Sequence, residues 1–204
     1  MAWATRATQE IPPRQAPDGE LPATPAERAA WLQAGVGRLI SAVATAPEEP
    51  VWTLAGIRPA RYWLRRLTHE GAVHLADAQL AAGQQAVLPA DVAADGIDEW
   101  LTEAWADAGT GEITTRAQRP GPGLHLTGQT LSLRVTDPGV TGEWLVTLDP
   151  ERVTVTGGYA RADAALRGPA ASLLLVLTRR LPPSAVSASG DQALLAQWLD
   201  HMRF

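Results

Sequence analysis

The segment His69-Glu70-Gly71-Ala72-Val73-His74 holds the residue types and spacing in this chain that imply chemistry. On an α-helix, with about 100° of turn per residue, Glu70 and His74 stand one turn apart and about 40° from each other. A carboxylate oxygen and an imidazole nitrogen so placed are both ordinary ligands for zinc or a similar divalent ion. His69 lies about 140° from His74. The segment is therefore not the HExxH arrangement, in which two histidines four apart share the metal and the glutamate acts as base. We expect Glu70 and His74 on one helical face, with His69 turned away as a surface or interdomain residue. Asp77 is placed to act as an outer hydrogen-bond partner. A hydrogen-bonded core histidine beside a surface glutamate is the competing reading. What favours a metal is the carboxylate on the same side as the histidine, because burying it without a partner is costly. His125, in a strand, and His201, in the last helix, read as structural.

The elements that must position these groups are legible from periodicity. Ile11 to Pro25 contains five prolines and reads as an extended linker. Thr24-Pro25-Ala26-Glu27 is a helix start, with Thr24 as cap and Glu27 closing a capping box. Trp31, Leu32, Val36, Leu39, Ile40 and Val43 follow at helical spacing. A second helix is expected from near Pro59 to a Gly83 cap, with Ala60, Leu64, Leu67, Gly71, His74 and Ala78 as its inward stripe. A third covers Asp91 to Asp107, broken at Gly96. After Gly109 the period changes to two, and Leu124–Leu126, Leu131–Val135, Trp144–Leu148, Val153–Val155 and Ala162–Leu166 read as strands. Pro169–Arg179 and Asp191–Met202 read as helices. The expected class is α+β: an all-helical part to about residue 107, then an α/β part with a mainly antiparallel sheet.

Composition narrows the partners. The net charge of −5 argues against nucleic acid. All 17 basic residues are arginine, and cysteine is absent, so thiol chemistry needs a thiol from outside. No segment has the length of apolar sequence that a signal peptide or membrane span needs, which points to a cytoplasmic protein without a membrane partner. Arg61, Arg65 and Arg66 make one side of the second helix basic, either as a solvated face or as a grip for a carboxylate.

Arg61 through Ala78 resembles the WxRRxxHExxVHxxDA segment of the mycothiol-dependent maleylpyruvate isomerase family. Ala94 through Leu101 is similar to the stretch that comes after it there. Gly168, the Leu173–Leu177 run, Arg179, Gly190-Asp191 and Trp198-Leu199 resemble the family's C-terminal domain. The resemblance implies a DinB-like helical bundle over residues 1–108 and a small α/β domain, similar to sterol carrier proteins, over 109–204. It implies zinc held by a histidine of an early helix together with Glu70 and His74. No histidine precedes His69, and Met1-Ala2-Trp3 falls where that early helix should end, so the chain looks like a member lacking its first helix. The implied chemistry is cis–trans isomerisation. A zinc-activated thiolate of mycothiol adds to the double bond of an unsaturated dicarboxylate such as maleylpyruvate; rotation and elimination complete the reaction. Arg179 is the residue chosen to hold substrate carboxylate. The implied partners are a small carboxylate substrate and a low-molecular-weight thiol, with the protein a monomer or homodimer. Two other readings use the same residues: a zinc-dependent thiol S-transferase, and a non-catalytic binding protein with a degenerate metal site.

Overall fold

The computed structural model describes residues 22–53, 56–105, 127–148 and 153–201. The chain divides into two compact units, Met1–Thr68 and His69–Phe204, with the division inside one helix. Leu124-His125-Leu126 lies outside the described residues. His201 is described only as the last residue of a helix.

In the first unit, α1 (Pro25–Thr45) begins as its sequence predicts. The Thr24 hydroxyl accepts from the Glu27 amide at 3.3 Å, and the Glu27 carboxylate accepts from the Thr24 amide at 3.0 Å. Two otherwise orphaned donors are satisfied reciprocally. Leu39 and Val43 pack with Val51, Ala60 and Trp63 in a small core, whereas Trp31, Leu32, Val36 and Ile40 of the same stripe are exposed.

The N-terminal part is not all-helical as expected, because a hairpin separates its first two helices. Pro50–Thr53 (β1) and Gly56–Pro59 (β2) form this antiparallel pair, with Pro50 opposite Pro59 and Thr53 opposite Gly56. Its strands have four residues each, too few for a period to stand out, and the bounding prolines read equally well as the end of one helix and the start of the next. Val51 and Thr53 are buried while Trp52 between them is less so, the alternation of a half-buried strand. The Trp63 indole N–H donates to the Trp52 carbonyl at 3.1 Å.

The helix α2 (Tyr62–Ala81) is continuous through Glu70 and His74. It stops at Gly83, whose φ of 69° suits glycine, while the Gln84 amide donates to the Gln79 carbonyl at 2.9 Å. The next helix, α3 (Ala90–Trp105), runs unbroken through Gly96. Glycine there serves close approach: a Cβ on Gly96 would lie 3.2 Å from Leu174 Cδ2 and 3.5 Å from His69 Cδ2.

The rest of the second unit is a five-stranded sheet with helices α4 (Ala170–Leu177) and α5 (Gln192–His201). Its strands are β3 (Gln129–Val135), β4 (Glu143–Leu148), β5 (Val153–Gly157), β6 (Ala164–Gly168) and β7 (Ser187–Gly190), in spatial order β5-β4-β3-β6-β7. Only β3 and β6 run parallel; every other pairing is antiparallel. The α+β class with a mainly antiparallel sheet is thus as the sequence predicts. One core gathers Leu131, Leu133, Val146, Leu148 and Leu166 of the sheet with Leu173–Leu177, Leu195 and Trp198. Ala93, Ala94, Ile97, Trp100 and Leu101 of α3 belong to this same core. The helix α3, ending at Trp105, and the strands from Gln129 onward thus contribute to one core.

Candidate metal-binding site

Two polar clusters form on the His69–Ala81 part of α2, one on each side of the helix. The buried side carries His69, Ala76 and the partly buried Ala72 and Val73. His69 does not turn to the surface as its sequence context suggests: its side chain is 6% exposed. Its Nδ1 lies 2.7 Å from Oε2 of Glu99, itself 2% exposed, and its Nε2 lies 2.9 Å from Oδ2 of Asp95. A carboxylate oxygen only accepts when ionised, so Nδ1 donates to Glu99, while Asp95 stands at ion-pair distance from the other nitrogen. Both carboxylates come from α3 one turn apart, and Gly96 between them leaves room for the ring. Burial of His69 is thus compensated by partners 26 and 30 positions away in sequence, which no local pattern reveals.

The outer side carries Glu70, His74 and Asp77. His74 is 65% exposed, so it is not a core residue, and Gly71 and Ala78 of the expected inward stripe are not buried either. Past Thr68 the buried stripe has a different helical phase from the predicted one, because the small residues Gly71 and Ala78 carry almost no hydrophobic signal. Glu70 and His74 do meet: His74 Nε2 and Glu70 Oε2 are 3.3 Å apart. The other ring nitrogen, Nδ1, donates to Asp77 Oδ2 at 3.0 Å. Two atoms each bonded to one tetrahedral zinc at about 2.0–2.1 Å stand about 3.3–3.4 Å apart. The Nε2–Oε2 pair has that separation, and the carboxylate behind Nδ1 is the usual outer partner of a metal-binding histidine. Among the described residues, no group of three or more His, Cys, Asp or Glu is arranged to hold a metal ion.

Asp77 is also the contact to the far part of the unit. Arg180 Nε donates to its Oδ1 at 2.9 Å and Nη2 to its Oδ2 at 3.1 Å. This two-pronged contact, more than the bond from His74, holds the Asp77 carboxyl below its ordinary value; partial burial works the other way. Arg179, chosen from sequence to hold substrate, has its guanidinium on Asp200 at 2.9 Å and is the one described non-glycine residue with positive φ, 65°. The sequence draws attention to the first arginine of the pair, whereas the second reaches the Glu70–His74–Asp77 cluster. Arg61 pairs with Glu48 in the first unit.

A cleft of about 600 Å³ lies elsewhere in the second unit, lined by Asp91, Asp95, Asp98, Glu143 and Trp144 with turn glycines. Four carboxylates make it unsuited to an anionic dicarboxylate, and neither Glu70 nor His74 lines it. No described helix is long and apolar enough to cross a membrane.

The family model described as the mycothiol maleylpyruvate isomerase N-terminal domain matches residues 1–79. The corresponding C-terminal domain model matches residues 91–197, so it takes in α3 as well as the sheet. Among solved structures, this chain is similar to a "UbiJ-SCP2 Ubiquinone synthesis protein". The identity is 16% over 57% of this chain and 93% of that one, with a TM-score of 0.35. It is also similar to sterol carrier protein 2 like 2 from Aedes aegypti, 18% identical over 51% of this chain and 94% of that one, with a TM-score of 0.34. No curated protein matches.

The two clusters lead to two expected outcomes. His69→Ala leaves the Glu99 carboxylate buried without its imidazole and is expected to cost about 3 kcal/mol in denaturant unfolding. Adding Glu99→Gln should recover part of that loss; a single variant as stable as the parent would contradict the clamp. For Asp77 the sign comes from its depressed folded value. Its stabilisation is present above the unfolded value of about 3.9 and is lost as pH falls through the lower folded one. The parent's stability advantage over Asp77→Asn should therefore hold at neutral pH and shrink below about pH 4. An advantage independent of pH would contradict it.

Proposed function

The chain belongs to the mycothiol maleylpyruvate isomerase family, and from that premise we propose that Glu70 and His74 are ligands of a divalent metal, zinc by preference, serving thiol-dependent chemistry. The observation that carries this reading is the 3.3 Å approach of His74 Nε2 to Glu70 Oε2, with Asp77 behind the other ring nitrogen. The donor set, one imidazole and one carboxylate, suits zinc. Bound there, zinc would supply a Lewis acid that lowers the pKa of a thiol.

The rest is work for the chain's own side chains. A His74 protonated on Nδ1 donates to Asp77 and keeps its Nε2 lone pair for a metal taken up between it and the Glu70 carboxylate that it faces. Glu70 brings a negative charge beside it. The high exposure of His74 leaves the site open to a small thiol and its substrate. With no cysteine in the chain, the thiol comes from outside, and mycothiol is the cosubstrate the family implies. The substrate class is an unsaturated dicarboxylate with a cis double bond, such as maleylpyruvate. Its carboxylates need cationic partners, and Arg179, whose Asp200 pair is substantially exposed and can be exchanged for a ligand, is the candidate. Two protein ligands are fewer than the three of most catalytic zinc sites, so binding is expected to be weak.

Zinc affinity of the full chain, measured by chelator competition, and thiol-dependent isomerisation of maleylpyruvate test the reading together. Glu70→Gln and His74→Ala should each weaken zinc at least about tenfold, since even outer partners cost that much. Any thiol-dependent turnover should fall with them. Zinc binding or turnover indifferent to both substitutions would reject it. Consumption of thiol with a stable adduct, in place of a trans product, would identify S-transfer instead.

A further inference from the structure

We propose that Arg180 is a positioning residue for His74: by gripping the Asp77 carboxylate it sets which ring nitrogen of His74 carries the proton. The inference rests on reading Glu70 and His74 as the ligand pair, but its primary readout needs no metal.

An exposed histidine on a helix surface is not oriented by packing, so its ring is set by whatever hydrogen bonds it makes. The ring of His74 is 65% exposed; its Nδ1 lies 3.0 Å from Asp77 Oδ2 and its Nε2 faces Glu70 Oε2 at the longer 3.3 Å, so two carboxylates compete for the ring proton and the firmer acceptor takes it. Asp77 Oδ2 also accepts from Arg180 Nη2, while the second Asp77 oxygen accepts from Nε. A side-on pair of this kind fixes the plane of the carboxylate as well as its position. Arg180 is the best-buried member of the chain of contacts, with its side chain 24% exposed. It is anchored twice more: Nη1 donates to the Thr178 carbonyl at 2.8 Å, and its backbone amide donates to the Leu175 carbonyl at 2.7 Å.

The turn that aims it is strained. Arg179 sits at φ 65°, a left-handed conformation that costs a residue with a Cβ, immediately after the C-cap of α4 at Thr178. The chain turns off α4 there, and the next side chain is delivered to α2. Without Arg180, the Asp77 side chain has its χ angles free and the Nδ1 bond loses its fixed acceptor. The proton of a neutral His74 then distributes over both nitrogens, and the metal-facing lone pair is present only part of the time.

The test is nitrogen-15 NMR of the His74 side chain in the metal-free full chain, at a pH where the imidazole is neutral, with zinc affinity measured alongside. In the parent, the tautomer protonated on Nδ1 should dominate. Arg180→Ala should shift the population towards protonation on Nε2 and weaken zinc by about tenfold. Arg180→Lys, which keeps the charge but not the two-pronged contact, should fall between and guards against a folding defect in the alanine variant. Arg134→Ala, which removes an arginine paired with Glu143 and in no contact with Asp77, should leave the tautomer as in the parent. The proposal is overturned if both Arg180 variants keep the parent's tautomer ratio, or if Arg134→Ala shifts it as far. A shifted tautomer in a protein whose zinc affinity ignores Glu70 and His74 supports the positioning role and counts against the metal reading alone.

Discussion

The rotational setting of one helix governs what this protein can present. On the His69–Ala81 part of α2, His69 points inward and is held by Glu99 and Asp95, at 2.7 and 2.9 Å. Once that ring is fixed at the buried side, helical geometry leaves no freedom for its neighbours. Glu70, His74 and Asp77 lie about 100°, 140° and 80° further round, on the outer side and within reach of one another. An apolar residue at position 69 would also have buried this face, but with no directional contact to choose among nearby rotations. A histidine with one nitrogen bonded to Glu99 and the other against Asp95, both on α3, favours one setting. Desolvating such charged groups is expensive, which makes the clamp a device for specificity more than for net stability.

The same helix is fixed at its outer side from the end of α4. The ion pair between Arg180 and Asp77 joins elements 103 residues apart in sequence, and Asp77 passes that restraint on to His74. Inner and outer contacts thus hold α2 from two directions within one compact unit. The inner one depends on a glycine, Gly96, whose missing Cβ leaves space for the His69 ring and Leu174. The outer one depends on the left-handed turn at Arg179. Each departure from local preference sits next to a contact that orients the candidate ligands, as expected where strain is tolerated for the sake of a site.

What is legible in the sequence depends on range. The capping box at Thr24 and Glu27, the Gly83 stop, the strands β3 to β6 and the Glu70–His74 pair are local patterns that can be read from spacing, whereas β7, four exposed small residues at Ser187–Gly190, carries no alternation and is not. The hairpin at Pro50–Pro59 cannot, because four-residue strands carry too little periodicity to compete with proline signals. Nor can the phase of α2 past Thr68. Alanine and glycine dominate that stretch, and its most informative buried residue is a histidine, whose type argues for neither side. Its partners Asp95 and Glu99 lie on another helix, so only tertiary structure exposes the clamp. Arg179 and Arg180 are equivalent in sequence for a similar reason: the backbone turn at Arg179 decides which of them reaches Asp77.

If the Glu70–His74 edge receives a divalent metal and leaves it open to a thiol, the metal's own coordination shell must show both. X-ray absorption at the zinc edge tests this most directly, using the zinc-loaded full chain with and without a low-molecular-weight thiol. The expected result is nitrogen and oxygen scatterers at about 2.0–2.1 Å, including one imidazole that is lost in His74→Ala, and a sulfur scatterer near 2.3 Å once thiol is added. A zinc environment that is unchanged by the substitution, and that takes no sulfur when thiol is added, would contradict it.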